Sequence, residues 1–422
     1  MDDRPDSSPL PQREPLPRRR ALGRLLLAAL TPAGLALTGC GQPEPKEQRL
    51  RHARGQGDLL IGLAWPMLHP KRTLRNGVEL AIDEINAAGG VLGRRLRLKV
   101  ADDERSVERG MMIAEQFVNN PAMVAVLAHL DTYVASQVAP TYMFNGMLML
   151  SPGAMGLDLT RKGFDNVFRT YPSEEVVATM LANHATESRY GRVVVYYSND
   201  SSGHDLVQVF EQQARERGVT VVDRRSYNAM GSDHRLVFEE WRDMHRFDAI
   251  FLAGTLPIGA EIIRLMRQVG LQQPIFGNTG LDGNELPSLG GDATEGVVVP
   301  TVFQVDMPMP AAQDFVRTYH KRYRVRPGAS AAIGYDTVQL LAAAMRQTRS
   351  AEPPRIAAAL RDMKPWAGVT GSFDFDEHGE LKTAAMVLKV VRQGAWTFLG
   401  TIDDSRCKLH RSSDGVIKRC GY

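Results

Sequence analysis

The chain has 422 residues, with 51 Lys and Arg against 48 Asp and Glu, a formal net charge of +3. No basic cluster with interleaved aromatics accompanies that charge, so nucleic acid is not an expected partner. The length allows a targeting segment and two globular lobes.

Arg18-Arg19-Arg20 and Arg24 precede an apolar run from Leu25 to Leu37 that ends in Thr38-Gly39-Cys40. The run falls short of the roughly 20 residues a span needs, and Pro32 and Gly34 interrupt it. It reads as an export signal over residues 1–39. Cys40 directly after Leu-Thr-Gly resembles the lipobox of bacterial lipoproteins. The resemblance implies cleavage before Cys40, a lipid on its thiol, and a membrane-anchored protein of the cell envelope. Without residues 1–39 the charge balance becomes 45 basic against 44 acidic side chains. Residues 40–57 are polar and rich in Pro and Gly, which suits an anchor and tether. At the other end, Cys407 and Cys420 lie in a polar tail, residues 403–422. In an oxidising compartment they would close a disulfide; free thiols in a frayed terminus are the alternative. A metal site needs more ligands than the intervening His410, and none is expected.

From residue 58 the pattern becomes regular. Leu59 to Leu63 reads as a buried strand, and Asn76 to Ala88 as a helix with apolar positions 78, 81, 82 and 85, stopped by Gly89-Gly90. Leu96, Leu98 and Val100 alternate as a strand before Asp102-Asp103, and a helix over Ser106–Asn119 leads to a strand at Val124–Ala128. The alternation resumes with a strand at Val193–Tyr197, a helix around Leu206–Ala214, and strands at Val219–Val222 and Ala249–Leu252. A helix over Ile258–Val269 and a strand opening at Pro274–Phe276 follow. Such repetition predicts an α/β fold of two doubly wound, Rossmann-like lobes that part near Thr170-Tyr171-Pro172. Ligands of such sheets bind beyond the carboxyl ends of the strands.

Several segments in order resemble the leucine/isoleucine/valine-binding (type I) periplasmic receptors that feed ABC importers. They are Asn76–Gly90, Asp102-Asp103, Ser151-Pro152-Gly153-Ala154, Phe168-Arg169-Thr170, Gly334-Tyr335-Asp336 and Gly371–Asp376. The resemblance implies two lobes joined by a three-strand hinge: residues 58–172 with 301–372, and residues 173–300 with 373–402. It also implies a small ligand in the cleft (an amino acid, an amide or a small carboxylate) and an ABC permease as partner. In the first lobe it assigns the ligand's carboxylate to the hydroxyl of Thr132 and to the loop Ser151, Gly153, Ala154 and Met155, where a helix start and free N–H groups favour an anion. Met155 stands where the family commonly has a threonine. In the second lobe the family's ammonium-binding acid falls at Thr279, and its aromatic partners at Ser202 and Thr255. Asp282, three residues on, is the candidate substitute, with a turn acid before Gly283 as the alternative. The family's small first-lobe disulfide is missing, with Asp131 at one of its positions. Trp65, ending the first strand, either stacks on a ligand or packs in the core, and Tyr133 lies near the expected cleft.

No nucleophile elbow, phosphate-cradling loop or His-Glu-x-x-His pair occurs. Asp374–Gly379 begins like a calcium loop, but its twelfth position is Ala385, so a hairpin turn is expected. His129 has no acid or nucleophile at a motif spacing and reads as structural. The expectation is therefore a lipid-anchored solute receptor with no cofactor and no enzymatic activity. The second reading is a ligand-free envelope lipoprotein of the same fold that regulates an envelope enzyme by contact.

Overall fold

The computed structural model describes residues 44–67, 73–228 and 233–400. Cys40, Cys407 and Cys420 lie outside them. In chain order the first half contains α1 (Pro45–Arg54), β1 (Leu59–Ala64), α2 (Thr73–Ala87), β2 (Leu96–Ala101), α3 (Val107–Val118), β3 (Met123–Ala128), α4 (Thr132–Phe144), β4 (Leu148–Ser151), α5 (Asp158–Arg161) and β5 (Val167–Arg169). Every residue of β3 and β4 is buried, because helices cover both faces and their side chains are almost wholly apolar. The five strands pair in parallel in the order β2-β1-β3-β4-β5.

The second run is α6 (Glu174–Glu187), β6 (Arg192–Ser198), α7 (Ser201–Glu216), β7 (Thr220–Tyr227), α8 (His234–Met244), β8 (Ala249–Ala253), α9 (Ile258–Gln268), β9 (Ile275–Gly277), α10 (Leu286–Gly290) and β10 (Val298–Thr301). Then come α11 (Pro310–Tyr323), α12 (Ala329–Thr348), α13 (Pro353–Asp362), β11 (Trp366–Ala367), β12 (Ser372–Phe373), β13 (Val387–Arg392) and β14 (Ala395–Gly400). The second sheet runs β14-β13-β10-β9-β8-β6-β7, parallel from β10 to β7, with β13 and β14 added antiparallel at the β10 edge. The expected two doubly wound lobes are present.

Helix α12 returns to the first lobe and lies on α2. Two glycines, one on each helix, set the approach: a Cβ on Gly77 would stand 1.9 Å from the Ala331 carbonyl oxygen, and one on Gly334 2.6 Å from that of Leu74. The other residues of Gly334-Tyr335-Asp336 also have tasks. Tyr335 donates to Glu84 Oε2 at 2.7 Å. Asp336 accepts from the N–H groups of Val369 and Thr370 and from the Thr370 hydroxyl, which fixes the loop after β11. Burial pushes the Asp336 carboxyl up to about 6 despite those donors.

Two boundaries differ from the sequence reading. The supposed tether contains α1, whose Arg49 is fully buried and donates Nε to the Met123 carbonyl at 2.8 Å and Nη2 to that of Val118. Arg94 then holds the far end through the carbonyls of Ala53 and Gly57. Residues 373–381, assigned to the second lobe, lie against β5 of the first: Phe375 meets Phe168 edge-on at 5.2 Å, and the Arg169 N–H donates to the Gly379 carbonyl at 2.9 Å. The Asp374–Leu381 segment is the expected turn, with Asp376 accepting from the N–H groups of His378 and Glu380.

Gly77→Ala has no room to relax, because the obstacle is backbone. Overpacking of this kind typically costs about 1–3 kcal/mol. Urea unfolding of that variant should show at least this loss, and an unchanged midpoint would refute the α2–α12 contact.

Candidate ligand cleft

The carboxyl ends of β1, β4 and β9 open on one cavity of about 100 Å³ between the lobes. Trp65, Gly153 and Met155 line it from the first lobe, and Thr279 and Asp282 from the second. The starts of α2 and α12 close its side through Leu74 and Ser330. Met155 and Thr279 touch across the cleft, the threonine hydroxyl donating to the thioether sulfur at 3.4 Å. Trp65 is 1% exposed, as a core aromatic would be, and also forms part of the cavity wall. Gly153 is required beside it, since a Cβ there would meet the indole at 2.5 Å.

The binding loop is held from behind. Thr132 Oγ1 accepts from the Gly156 N–H at 2.9 Å, which leaves its own proton to donate elsewhere. Ser151 Oγ accepts from the Ala154 N–H at 3.3 Å, and the Ala154 carbonyl accepts from Arg169 at 3.0 Å. Neither the Gly153 nor the Met155 N–H has a backbone acceptor among the described residues. The loop therefore presents two amide donors and one hydroxyl beside the start of α4, an arrangement suited to a carboxylate.

Six expected residues are not among those lining this cavity: Thr132, Ser151 and Ala154, which hold the loop, and Tyr133, Ser202 and Thr255. Tyr133 is exposed, and its hydroxyl donates to the Arg105 carbonyl at 2.6 Å. Ser202 is half-buried in the first turn of α7, and Thr255 is exposed in the loop before α9. Asp131, at the position of a missing cysteine, takes a two-point ion pair from Arg105 at 2.6 and 2.8 Å.

Asp282 lines the cavity but already has partners within the protein. Its carboxylate pairs with Lys389 and accepts from Thr301 Oγ1 at 2.8 Å. Lys389 is 2% exposed, donates also to the Asp282 carbonyl at 2.9 Å, and lies 4.1 Å from the Trp396 ring centre. Burial pushes the Lys389 ammonium down and Asp282 opposes the shift. The charge of Asp282 is thus matched inside the protein. A lone lysine in the apolar run Val387-Leu388-Lys389-Val390-Val391 was the sequence signal for such a pair.

Glu174 was missed by the sequence reading. It is the first residue of α6, directly after the chain crosses between lobes, and its N–H donates to the Met155 carbonyl at 3.0 Å. It is 3% exposed, and its carboxyl makes no hydrogen bond among the described residues. Burial, then the nearby Asp205, pushes it up to about 8; Asp200 and Asp158 add to this, while Arg169 opposes it. Glu174 thus faces acids from both lobes, Asp158 on α5 and Asp205 on α7. The available signal was an acid at the start of the first helix after Phe-Arg-Thr.

The family described as "Periplasmic binding protein" matches residues 69–395. The chain belongs to this family, in its leucine/isoleucine/valine-binding branch. An ABC transporter substrate-binding protein from Desulfitobacterium hafniense, solved in complex with Leu, is 35% identical; the match covers 82% of this chain and all of that one, with a TM-score of 0.74. The Leu/Ile/Val-binding protein homolog 1 of Brucella abortus (strain 2308) is 25% identical over 344 residues, 80% of this chain and 91% of that protein. A solute-binding protein from R. palustris in complex with benzoate shares the fold at 19% identity, covering 82% of this chain and 96% of its own, with a TM-score of 0.74. Members of the family are solute-binding proteins, and membership implies an extracytoplasmic location. No helix among the described residues is long and apolar enough to cross a membrane.

Removing one partner of a buried ion pair typically costs about 3–5 kcal/mol. Lys389→Met should lose that much in urea unfolding, and adding Asp282→Asn should recover most of it. A neutral single variant would refute the pairing.

Proposed function

We propose that the protein is an extracytoplasmic solute receptor that delivers an amino-acid-like ligand to an ABC permease, with Cys40 as its lipid attachment point and no enzymatic role. The observations that support the ligand class are the two spare amide donors of the loop and the enclosed Glu174, whose backbone N–H donates to the Met155 carbonyl although its side chain is not part of the cavity wall. A carboxylate on that loop and an ammonium at Glu174 would neutralise both ends of an α-amino acid. The acid absent at Thr279 and internally matched at Asp282 would then be supplied from the hinge. Thr132, Gly153 and Met155 would grip the carboxylate, with Ser151 and Ala154 shaping the loop. Ligand contacts from both lobes would favour the closed arrangement by their difference between states.

Ligand binding should raise the melting temperature, since saturation at a hundred times Kd adds about 2.7 kcal/mol. No shift with any amino acid, amide or small carboxylate would overturn the receptor reading and favour a protein-contact role.

Glu174→Gln separates ligand binding from structure. L-Leucine and 4-methylpentanoate share a skeleton and differ in the ammonium group. A hydrogen bond to a charged group contributes about 1.5–3 kcal/mol, so the wild type should prefer leucine at least tenfold and the variant should lose that preference. The same carboxyl has a pH signature. Its folded pKa, about 8, stands above the ordinary 4.5, so the native state holds the proton longer. Its favourable contribution is full below pH 4.5 and is lost as pH rises through about 8. The melting-temperature difference between Glu174→Gln and wild type should therefore grow in favour of the variant from pH 5 to pH 8. A flat difference would show that Glu174 is not buried in this way.

A further inference from the structure

Helix α1 lies across the amino ends of four strands of the first sheet. Arg49 donates to the carbonyl of Met123, the first residue of β3, and to that of Asn145, which precedes β4. Arg94, just before β2, donates to the Ala53 carbonyl at 2.9 Å, and His52 Nε2 lies 2.9 Å from the carbonyl oxygen of Asp58, just before β1. The cleft opens at the other ends of these strands. At roughly 3.3 Å per residue, the six residues of β1 put about 20 Å between the two faces.

An aromatic ring stands exposed on the α1 face. Phe144 closes α4 and is 75% exposed. Gly146, two positions on, lies so near the Lys46 stem that a Cβ there would stand 3.0 to 3.2 Å from three of its carbons. Lys46 is exposed and has no carboxylate partner among the described residues, whereas Arg51 pairs with Glu47 and Arg54 with Glu352. With Glu44 exposed just before the helix, the face is near neutral, so the ring rather than charge sets its preference. Ring and ammonium flank the start of α1, five positions after Cys40.

Resting on the lipid at Cys40 proposed above, we propose that this face of the first lobe lies on the bilayer that holds the anchor. The Phe144 ring enters the headgroup layer, where aromatic rings are favoured. The Lys46 stem runs over apolar surface and sets its ammonium against lipid phosphates. A phenyl ring offers about 200 Å², against roughly 1,200 Å² for a stable pair of copies. Beside an anchor the contact need not be stable alone, because the attached lipid supplies the local concentration. The cleft, at the opposite ends of the strands, then opens away from that bilayer.

The test uses full-length protein acylated in a host that processes lipoproteins and placed in phosphatidylcholine vesicles. In Phe144→Trp, the emission added over wild type should fall by roughly half or more when the acyl chains carry bromine, a short-range quencher. In Met244→Trp, at a position 76% exposed on the second lobe, bromine should leave the added emission unchanged. Thermal unfolding provides the folding control. Vesicle-bound protein with no quenching in Phe144→Trp, or equal quenching in Met244→Trp, would overturn the inference and leave the anchor intact. A Phe144→Trp emission that shifts with protein concentration in detergent, and not with bromine, would assign the face to a second copy and also overturn it. Protein that carries no lipid on Cys40 and does not float with vesicles would overturn both.

Discussion

The cleft depends on one buried guanidinium. Arg169 is fully inaccessible and spends its donors in three directions: Nε on Glu380 at 2.8 Å, Nη1 on the Ala154 carbonyl at 3.0 Å, and Nη2 on Thr160 Oγ1 at 3.1 Å. Thr160 closes the circuit by donating to Glu380 at 2.9 Å. The binding loop, α5 and the returning segment near 380 are thereby tied to the end of β5, where the chain leaves the first lobe. Gly379 completes the arrangement. Its backbone has φ +77° and comes so near the Val167 carbonyl that a Cβ would stand 2.1 Å from the oxygen. Two crossings between the lobes are thus locked to each other, while the Thr170 and Thr337 hydroxyls, 3.0 Å apart, join the first of them to α12. Because a charge so enclosed needs every partner it has, the loop that would meet a ligand inherits its position from the hinge.

The alternation of strand and helix was legible because buried parallel strands leave continuous apolar runs and the intervening helices keep a 3.6-residue period. The loop was picked out by its resemblance to the family's Ser-Pro-Gly-Ala motif, and the structure shows why glycines stand there, with Gly153 against Trp65 and Gly156 against Thr132. The partner of Asp282 was not legible for a physical reason. That partner, Lys389, is more than a hundred positions away, and local sequence cannot say whether an acid faces a cleft or a buried ammonium. Helix α1 was hidden in the same way, since its polar sequence suits a tether until Arg49 finds carbonyls of Met123 and Val118. Glu174 resembled any acid in a first helical turn, and only its enclosure distinguishes it.

The two lobes contribute different kinds of polarity. The first offers mainly N–H and O–H donors, from Gly153, Met155 and Thr132 beside the start of α4. The second offers an ion pair already closed at Asp282 and Lys389, with Glu285 beside it. Charge on the second lobe is therefore mostly committed before a ligand arrives, and the acid left without a hydrogen bond at the crossing is Glu174. With Glu174 as the ammonium partner, as proposed, electrostatic choice would rest on the hinge rather than on the second lobe's floor.

Helix α1 changes the mechanical reach of the protein. With a lipid on Cys40, as proposed, only residues 41–44 separate the attachment point from the first helix. At about 3.6 Å per residue, the five steps to Pro45 extend no more than ~18 Å, against roughly three times that for a flexible stretch running to residue 57. A short leash of this kind would keep the receptor near the bilayer surface and narrow the range of orientations it samples. Encounter with a membrane partner would then become a search in two dimensions, with the approach angle restricted by the packing of Arg49.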